Sequence, residues 1–365
     1  MRERVEDRHE RILQIVRDRG TVRLRELAEE VGTSLETIRR DVTALSEVGR
    51  VRRVHGKVYW PSAPLNARDA RLDRKAKSGT REPVLGMVVP VAGYFYGGII
   101  HGARAVAAAA GARLAVGITE YSEERETRQI TTMLENGVDG LLFTPSGGLA
   151  RPAATDWDLI ESLDIPTVLV ERQIAPGMPG AMLDRVSSDH VEGAALAIRH
   201  LAALGHERIA LLSRSTHTNR HVRAGYHAAM ETLGLPTDDL GKPGFAPNSG
   251  FFDTFDDDVA RLIELYKEQG VRAALVHTDT DATNLLHILA SRGVRVPENF
   301  ALVAYDDELA AIADVPLTAI APPKQAIGEA AANLLLRRIA DLSSPRSHLD
   351  LLPELRVRAS CGAMG

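Results

Sequence analysis

Residues 32–58 read GTSLETIRRDVTALSEVGRVRRVHGKV, and the pattern changes period in the middle. Thr33 followed three places later by Glu36 fits a capping box, in which a hydroxyl and a carboxylate satisfy two otherwise orphaned amides at a helix start. Ile38, Val42 and Leu45 then recur at helical spacing, which turns Glu36, Arg40 and Thr43 to the opposite face, with Thr37 and Arg39 on its flanks. Ser34 belongs with this outward set at the start of the helix. After Gly49 the spacing drops to two: Val51, Val54 and Val58 alternate with Arg50, Arg52, Arg53, His55 and Lys57, as in a small basic hairpin turning near Gly56. Upstream, Ile12, Leu13 and Val16 mark one short amphipathic helix, and Leu24, Leu27, Ala28 and Val31 mark another, with Gly32 as the turn before the third. Three helices and a wing make a winged helix-turn-helix, whose outer helix face and wing suit base edges, phosphates and the minor groove. Asp41, beside two arginines on the inner flank of the helix, reads as a structural partner and not as a base reader.

The charge distribution agrees with that reading. The net charge is -5 over 365 residues, yet residues 1–82 carry 20 Lys and Arg against 14 Asp and Glu, while residues 83–365 carry 24 against 35. A polyanion would be attracted to the small end and repelled by the large one. Cys361 is the single cysteine, which excludes an intramolecular disulfide and a cysteine-rich metal cage. The charged N-terminus and the lack of a long apolar run give the expectation of a cytoplasmic protein with no membrane segment.

Residues 61–82 are rich in Pro, Ser and basic side chains without a sustained apolar face, as a basic linker would be, either a flexible tether or an extra phosphate contact. From Val84 onward short apolar runs (LGMVVPV, ARLAVGI, GLLFTP, IPTVLVE, RIALLS, AALVHT, FALVAYD) alternate with helical spacing. Strand and helix in alternation argue for α/β architecture, with doubly wound parallel sheets, and residues 83–365 are enough for two lobes. Ligands in such folds collect beyond the carboxyl ends of the strands.

Two resemblances sharpen this. Through ELAEEVGTSLETIRRDV and RVHG, Arg8–Val58 resembles the winged helix-turn-helix of the DeoR family, with Lys57 where that family usually has a second glycine. Through ENGVDGLLFTPSG, IPTVLVER, SSDHVEGAALAIRHLAALGHERIALL, RGVRVPENFALVAYDDE and PLTAIAPPKQAIGEAAANLLLRRI, nearly all of Val84–Cys361 resembles the periplasmic-binding-protein-like effector domain of the LacI/GalR family. The resemblance implies a DNA-binding domain over 1–60, a linker over 61–82 and a two-lobed ligand-binding domain over 83–365. It also places ligand contacts at Phe95 and Tyr96, at Arg172 after Glu171, at Asp189, at Phe245, at Thr278 and Asp279, and at Asp306 at the end of its strand. The family's ligand arginine falls at Val222 here, leaving Arg220 and Arg223 as candidates, of which Arg223 is preferred. Capping of a helix is the competing reading for Asp189 and Asp279.

The expected protein is a transcriptional regulator, a repressor of sugar metabolism genes, acting as a homodimer on operator DNA under control of a sugar-like effector bound between the lobes. A solute-binding protein of a sugar transporter shares the body but would leave the head unexplained. No G-x-S-x-G, P-loop, G-x-G-x-x-G or H-E-x-x-H motif is present, the histidines lack a metal-ligand spacing, and neither catalysis nor a cofactor is expected.

Overall fold

The structure is a computed structural model that describes residues 5–54, 57–61, 82–147, 160, 163, 165–214, 216–240 and 255–363. His55, Phe245 and nearly all of the linker at 61–82 lie outside these residues. Two compact units are formed, one mainly from the first 83 residues and one mainly from Val84 onward.

The first unit begins with helix α1 (Val5–Arg19), strand β1 (Thr21–Arg23), α2 (Leu24–Val31) and α3 (Leu35–Glu47). Strands β2 (Arg52–Val54) and β3 (Lys57–Tyr59) then form the wing, and β1 pairs antiparallel with β3 to give a three-stranded sheet of order β1-β3-β2. The apolar positions read from the sequence, Ile12, Val16, Leu27, Ile38, Val42, Leu45, Val51 and Val58 among them, pack into one core. Gly32 closes α2 at φ 73°, a left-handed turn that a Cβ would strain. The helix α3 starts one residue later than the capping-box reading: the N-cap is Ser34, whose hydroxyl accepts from the Thr37 amide at 3.2 Å. Asp41 is structural, accepting from Arg8 at 2.5 Å and lying 3.3 Å from His9. Burial pushes its carboxyl up, but the bonds from Arg8 and His9 outweigh that and hold it below the usual carboxylate range.

The second unit holds two six-stranded sheets. One has the order β14-β8-β7-β6-β4-β5, made by β4 (Val84–Val89), β5 (Arg113–Ile118), β6 (Gly140–Phe143), β7 (Thr167–Val170), β8 (Asp184–Ser188) and β14 (His348–Leu351), all parallel. The other has the order β10-β9-β11-β12-β13-β15, made by β9 (Ile209–Ser213), β10 (Thr237–Leu240), β11 (Ala273–His277), β12 (Ala301–Tyr305), β13 (Thr318–Ala321) and the antiparallel β15 (Glu354–Arg356). Helices α4 (Phe95–Ala109), α5 (Glu123–Glu135), α6 (His190–Ala203), α7 (Asn219–Leu233), α8 (Phe255–Glu268), α9 (Asp279–Ser291) and α10 (Lys324–Ala340) connect the strands. The chain passes between lobes three times, at Asp189, at Pro322–Pro323 and at Leu352–Pro353, so α10 returns to pack on α4 of the first lobe. Strand β8 is polar for its position because Asp184, fully buried, is held by Arg338 of α10 at 2.8 Å.

Close approach of α4 and α10 depends on glycine. A Cβ on Gly328 would stand 1.9 Å from the Ile99 carbonyl oxygen, and one on Gly102 would stand 2.0 Å from the Gln325 carbonyl oxygen. Backbone cannot yield as a side-chain end can, so Gly328→Ala is expected to lower stability by roughly 1–3 kcal/mol or more in urea unfolding followed by circular dichroism.

Candidate functional site

On the first unit the exposed side chains of α3 are Ser34, Glu36, Arg39, Arg40 and Thr43, with Thr37 half-buried. The wing is tied to this helix: Arg53 donates to the Thr43 hydroxyl at 2.9 Å, and that hydroxyl donates to the Arg39 carbonyl at 2.7 Å. Glu36 faces Arg39 across one turn at 3.6 Å. Ser34 serves first as the helix cap, so its hydroxyl is already engaged, with the Thr37 hydroxyl 2.8 Å away. Arg52 and Lys57 lie half-buried on β2 and β3, and Arg40 presents its guanidinium from the middle of the exposed face.

In the second unit the carboxyl ends of both sheets meet. Tyr94, just beyond β4 of the first lobe, donates its phenol to Asp279 and lies 3.4 Å from Asp306, both at strand ends of the second lobe. Asp279 also accepts from the amides of Glu308 and Leu309 at 2.6 Å each. Lys324 donates to the Asp306 carbonyl and pairs with Glu308, with its ammonium 5.5 Å from the centre of the Phe95 ring. Burial, then the charge of Asp279, pushes the Asp306 carboxyl up to about 7. Burial and the same two carboxylates push the Tyr94 phenol far above its ordinary value, so it remains a donor.

A second cluster spans the lobes beside the first. His190, which opens α6 at a chain crossing, lies 3.1 Å from both the Glu171 carboxylate and the Tyr305 hydroxyl. Burial raises Glu171, but His190 and the two bonds from Ser188 outweigh it and hold the carboxyl low. Arg172 is 4 % exposed and donates to the carbonyls of Pro145 at 3.1 Å and Glu171 at 2.7 Å and to the Tyr96 hydroxyl at 3.2 Å. Tyr121 of the first lobe stacks on His217 of the second, with ring centres 6.0 Å apart. A cavity here is lined by Glu171, Arg172, Gln173, Ser187, Ser188, His190, His217, Thr218 and His221. Four residues around these clusters have left-handed backbone, Tyr94 at φ 48°, Tyr121 at 58°, Glu171 at 56° and Asp306 at 92°, a strain that folds retain where the site requires it.

Several expected ligand residues fall elsewhere. Asp189 is a cap: its carboxylate accepts from the Glu192 amide at 2.9 Å. Arg223 pairs with Asp239 at 2.7 Å on β10 and does not line the cavity, whereas Arg220 reaches across to the Gln173 carbonyl at 2.9 Å. Tyr96 is 5 % exposed and supports Arg172 from behind; Phe95 is half-buried against it, ring centres 5.6 Å apart. Thr278, half-buried, caps α9 without a side-chain bond and delivers Asp279 to the cleft. Tyr94, Tyr121 and Lys324 join the site without having stood out in the sequence, and His190 and His217, which the sequence offers only as part of a histidine cluster without metal-ligand spacing, join it too.

Comparison with known proteins agrees with both units. Residues 8–62 match the family profile of the DeoR-like helix-turn-helix domain, and residues 198–361 match that of the periplasmic binding protein-like domain. The chain is 27% identical to the ribose operon repressor of Escherichia coli, over 92% of this chain and 99% of that one. It is 26% identical to the arabinose metabolism transcriptional repressor of Geobacillus stearothermophilus, over 92% and 89%. Among solved structures it resembles the transcriptional regulator CelR in complex with cellobiose, with TM-score 0.63, 24% identity, and 92% and 99% of the two chains covered. It also resembles a LacI-type regulator of Alkaliphilus metalliredigens complexed with D-xylulofuranose, with TM-score 0.61, 18% identity, and 77% and 99% covered.

The raised Asp306 carboxyl fixes a pH response. A folded-state value of about 7, against an ordinary 3.8 for the open chain, means that the folded form prefers the proton. Stability from this preference is full below the open-chain value and is lost as pH rises from there through the folded one. Asp306→Asn, which stays neutral, is expected to be more stable than the natural chain at about pH 8, on the order of 1–3 kcal/mol, with the advantage vanishing near pH ~4. Thermal unfolding across that range checks it.

Proposed function

We propose that a sugar-like effector bound in the cleft governs this protein's hold on operator DNA. The chain joins a DeoR-like helix-turn-helix domain to a LacI-type periplasmic-binding-protein-like domain, the build of ligand-controlled transcriptional repressors. The observation that carries the effector half is the Tyr94 phenol, bonded to Asp279 and near Asp306 across the lobes. A neutral hydroxyl is what that carboxylate pair accepts, and a polyol offers adjacent hydroxyls to the same acceptors. Sugar binding would replace Tyr94 and change how the lobes are held, which is the differential contact that a population shift requires.

For the DNA half, α3 enters the major groove, with Arg40, Arg39 and Thr43 facing the bases and Arg52, Arg53 and Lys57 on phosphates or the minor groove. We take the working form to be a cytoplasmic homodimer reading two half-sites about 34–36 Å apart or at a multiple of that spacing, with repression released by the effector. Residues 1–60, 61–82 and 83–365 would then be head, linker and effector domain. The relatives are repressors, and enzymatic turnover has no part in this scheme.

Two substitutions separate the halves. With a DNA fragment selected from a random pool by the full chain, Arg40→Ala is expected to weaken binding by roughly 10- to 100-fold in fluorescence anisotropy while leaving sugar-induced thermal shifts unchanged. Asp306→Ala is expected to keep DNA affinity and to abolish release by sugar; release at the concentrations that act on the natural chain would refute the cleft assignment.

A further inference from the structure

Arg172 is a buried cation whose hydrogen-bond partners are all neutral. Its three bonds go to two carbonyl oxygens and a hydroxyl, and among the described residues no carboxylate forms an ion pair with it. The adjacent Glu171 carboxylate is committed elsewhere, to Ser188 and His190. Arg220, on the facing lobe, donates to the Gln173 carbonyl, again a neutral acceptor. Taking a guanidinium out of water without a counter-charge is costly, and the cost is recovered only when an anion arrives. The cavity is lined by this cation beside a Glu171 carboxylate that is already engaged, and the neighbouring histidines feel the arginines. Burial and the nearby Arg172 push His217 down to about 2, and burial and Arg220 push His221 down to about 4.

On this ground, and resting on the reading of the cleft as an effector site, we infer that the effector is a polyhydroxylated anion, its carboxylate or phosphate received by Arg172 and Arg220 beside His217 and His221. The hydroxyl end of the same molecule goes to Asp279 and Asp306. The two ends adjoin through His190, which lines the cavity and lies 3.1 Å from the hydroxyl of Tyr305, the residue before Asp306. A guanidinium with free N–H groups suits either oxyanion, so carboxylate and phosphate share the chemistry and differ in charge and oxygen number. Neutral imidazoles can donate one N–H each to the anion and gain protons once its charge offsets that of the arginines.

The test is calorimetric titration of the full chain with ribose, ribose 5-phosphate and ribonate, and with inorganic phosphate as the bare anion. At least one of the two anionic sugars is expected to bind about 100-fold or more tightly than ribose, and which one does distinguishes phosphate from carboxylate. Arg172→Gln is expected to remove that preference; because a buried arginine also supports its loop, Arg220→Gln, at an exposed position, serves as the second variant and is expected to reduce the preference about 10-fold or more. Inorganic phosphate is expected to bind weakly and to compete with the anionic sugar. Ribose binding as tightly as both anions would overturn the inference while leaving the sugar-effector reading in place. Failure of every probe to bind overturns both.

Discussion

The two lobes of the second unit are linked across their cleft by a hydroxyl held between two carboxylates. Asp279 and Asp306 stand just beyond the ends of neighbouring strands β11 and β12. Two buried carboxylates so close together cannot both remain ionised without relief, and the relief is shared: the Tyr94 phenol and two amides serve Asp279, while Asp306 prefers its proton. The lobe that supplies the phenol is thereby attached to the lobe that supplies the acids. Replacing one hydroxyl by another costs little, so the contact is a link that another hydroxyl can exchange with.

The three chain crossings make such links matter. A domain joined by a single strand could move in many ways, but crossings at Asp189, at the paired prolines and at Leu352–Pro353 restrict the lobes to a limited motion about that seam. His190 stands next to one crossing and touches Glu171 of one lobe and Tyr305 of the other. Glu171 is in turn the neighbour of Arg172, so what occupies the cavity and how the seam is held are governed by adjoining residues. The cleft and the crossing thus share packed polar contacts.

Much of this was legible in the sequence. The head was legible because its period changes, 3.6 to 2, coincide with its helices and wing. The apolar strands β4, β6, β7, β9, β11 and β12 stood out because both faces are buried. Strand β8, reading DRVSS, did not, because its polar residues are satisfied by partners far along the chain, Asp184 by Arg338 and Ser187 by Asp350. The cleft was half legible for the same reason. Asp279 and Asp306 follow apolar strands and announce themselves, but Tyr94 lies 185 residues before its partner Asp279, and nothing local marks it. The sequence reading prefers Arg223 to Arg220, yet Arg223 is paired with Asp239 on the edge strand while Arg220 reaches the Gln173 carbonyl, a contact that spacing alone does not reveal.

The division of charge along the chain gains a second meaning from the cleft. The body is acidic as a whole, yet it keeps Arg172 in the lining of one cavity and Arg220 on the carbonyl of Gln173 beside it without an ion pair among the described residues, while Arg214, Arg338 and Arg358 are each paired with an aspartate. For these last three described arginines a carboxylate partner is present, and Arg172 departs from that directly after Glu171, whose backbone is left-handed. A buried cation with neutral partners next to a strained residue is a combination that costs the fold energy. An acidic exterior would slow the approach of an anion, so affinity for one must come from the cavity itself, from short-range bonds to Arg172 and its neighbours and not from long-range attraction.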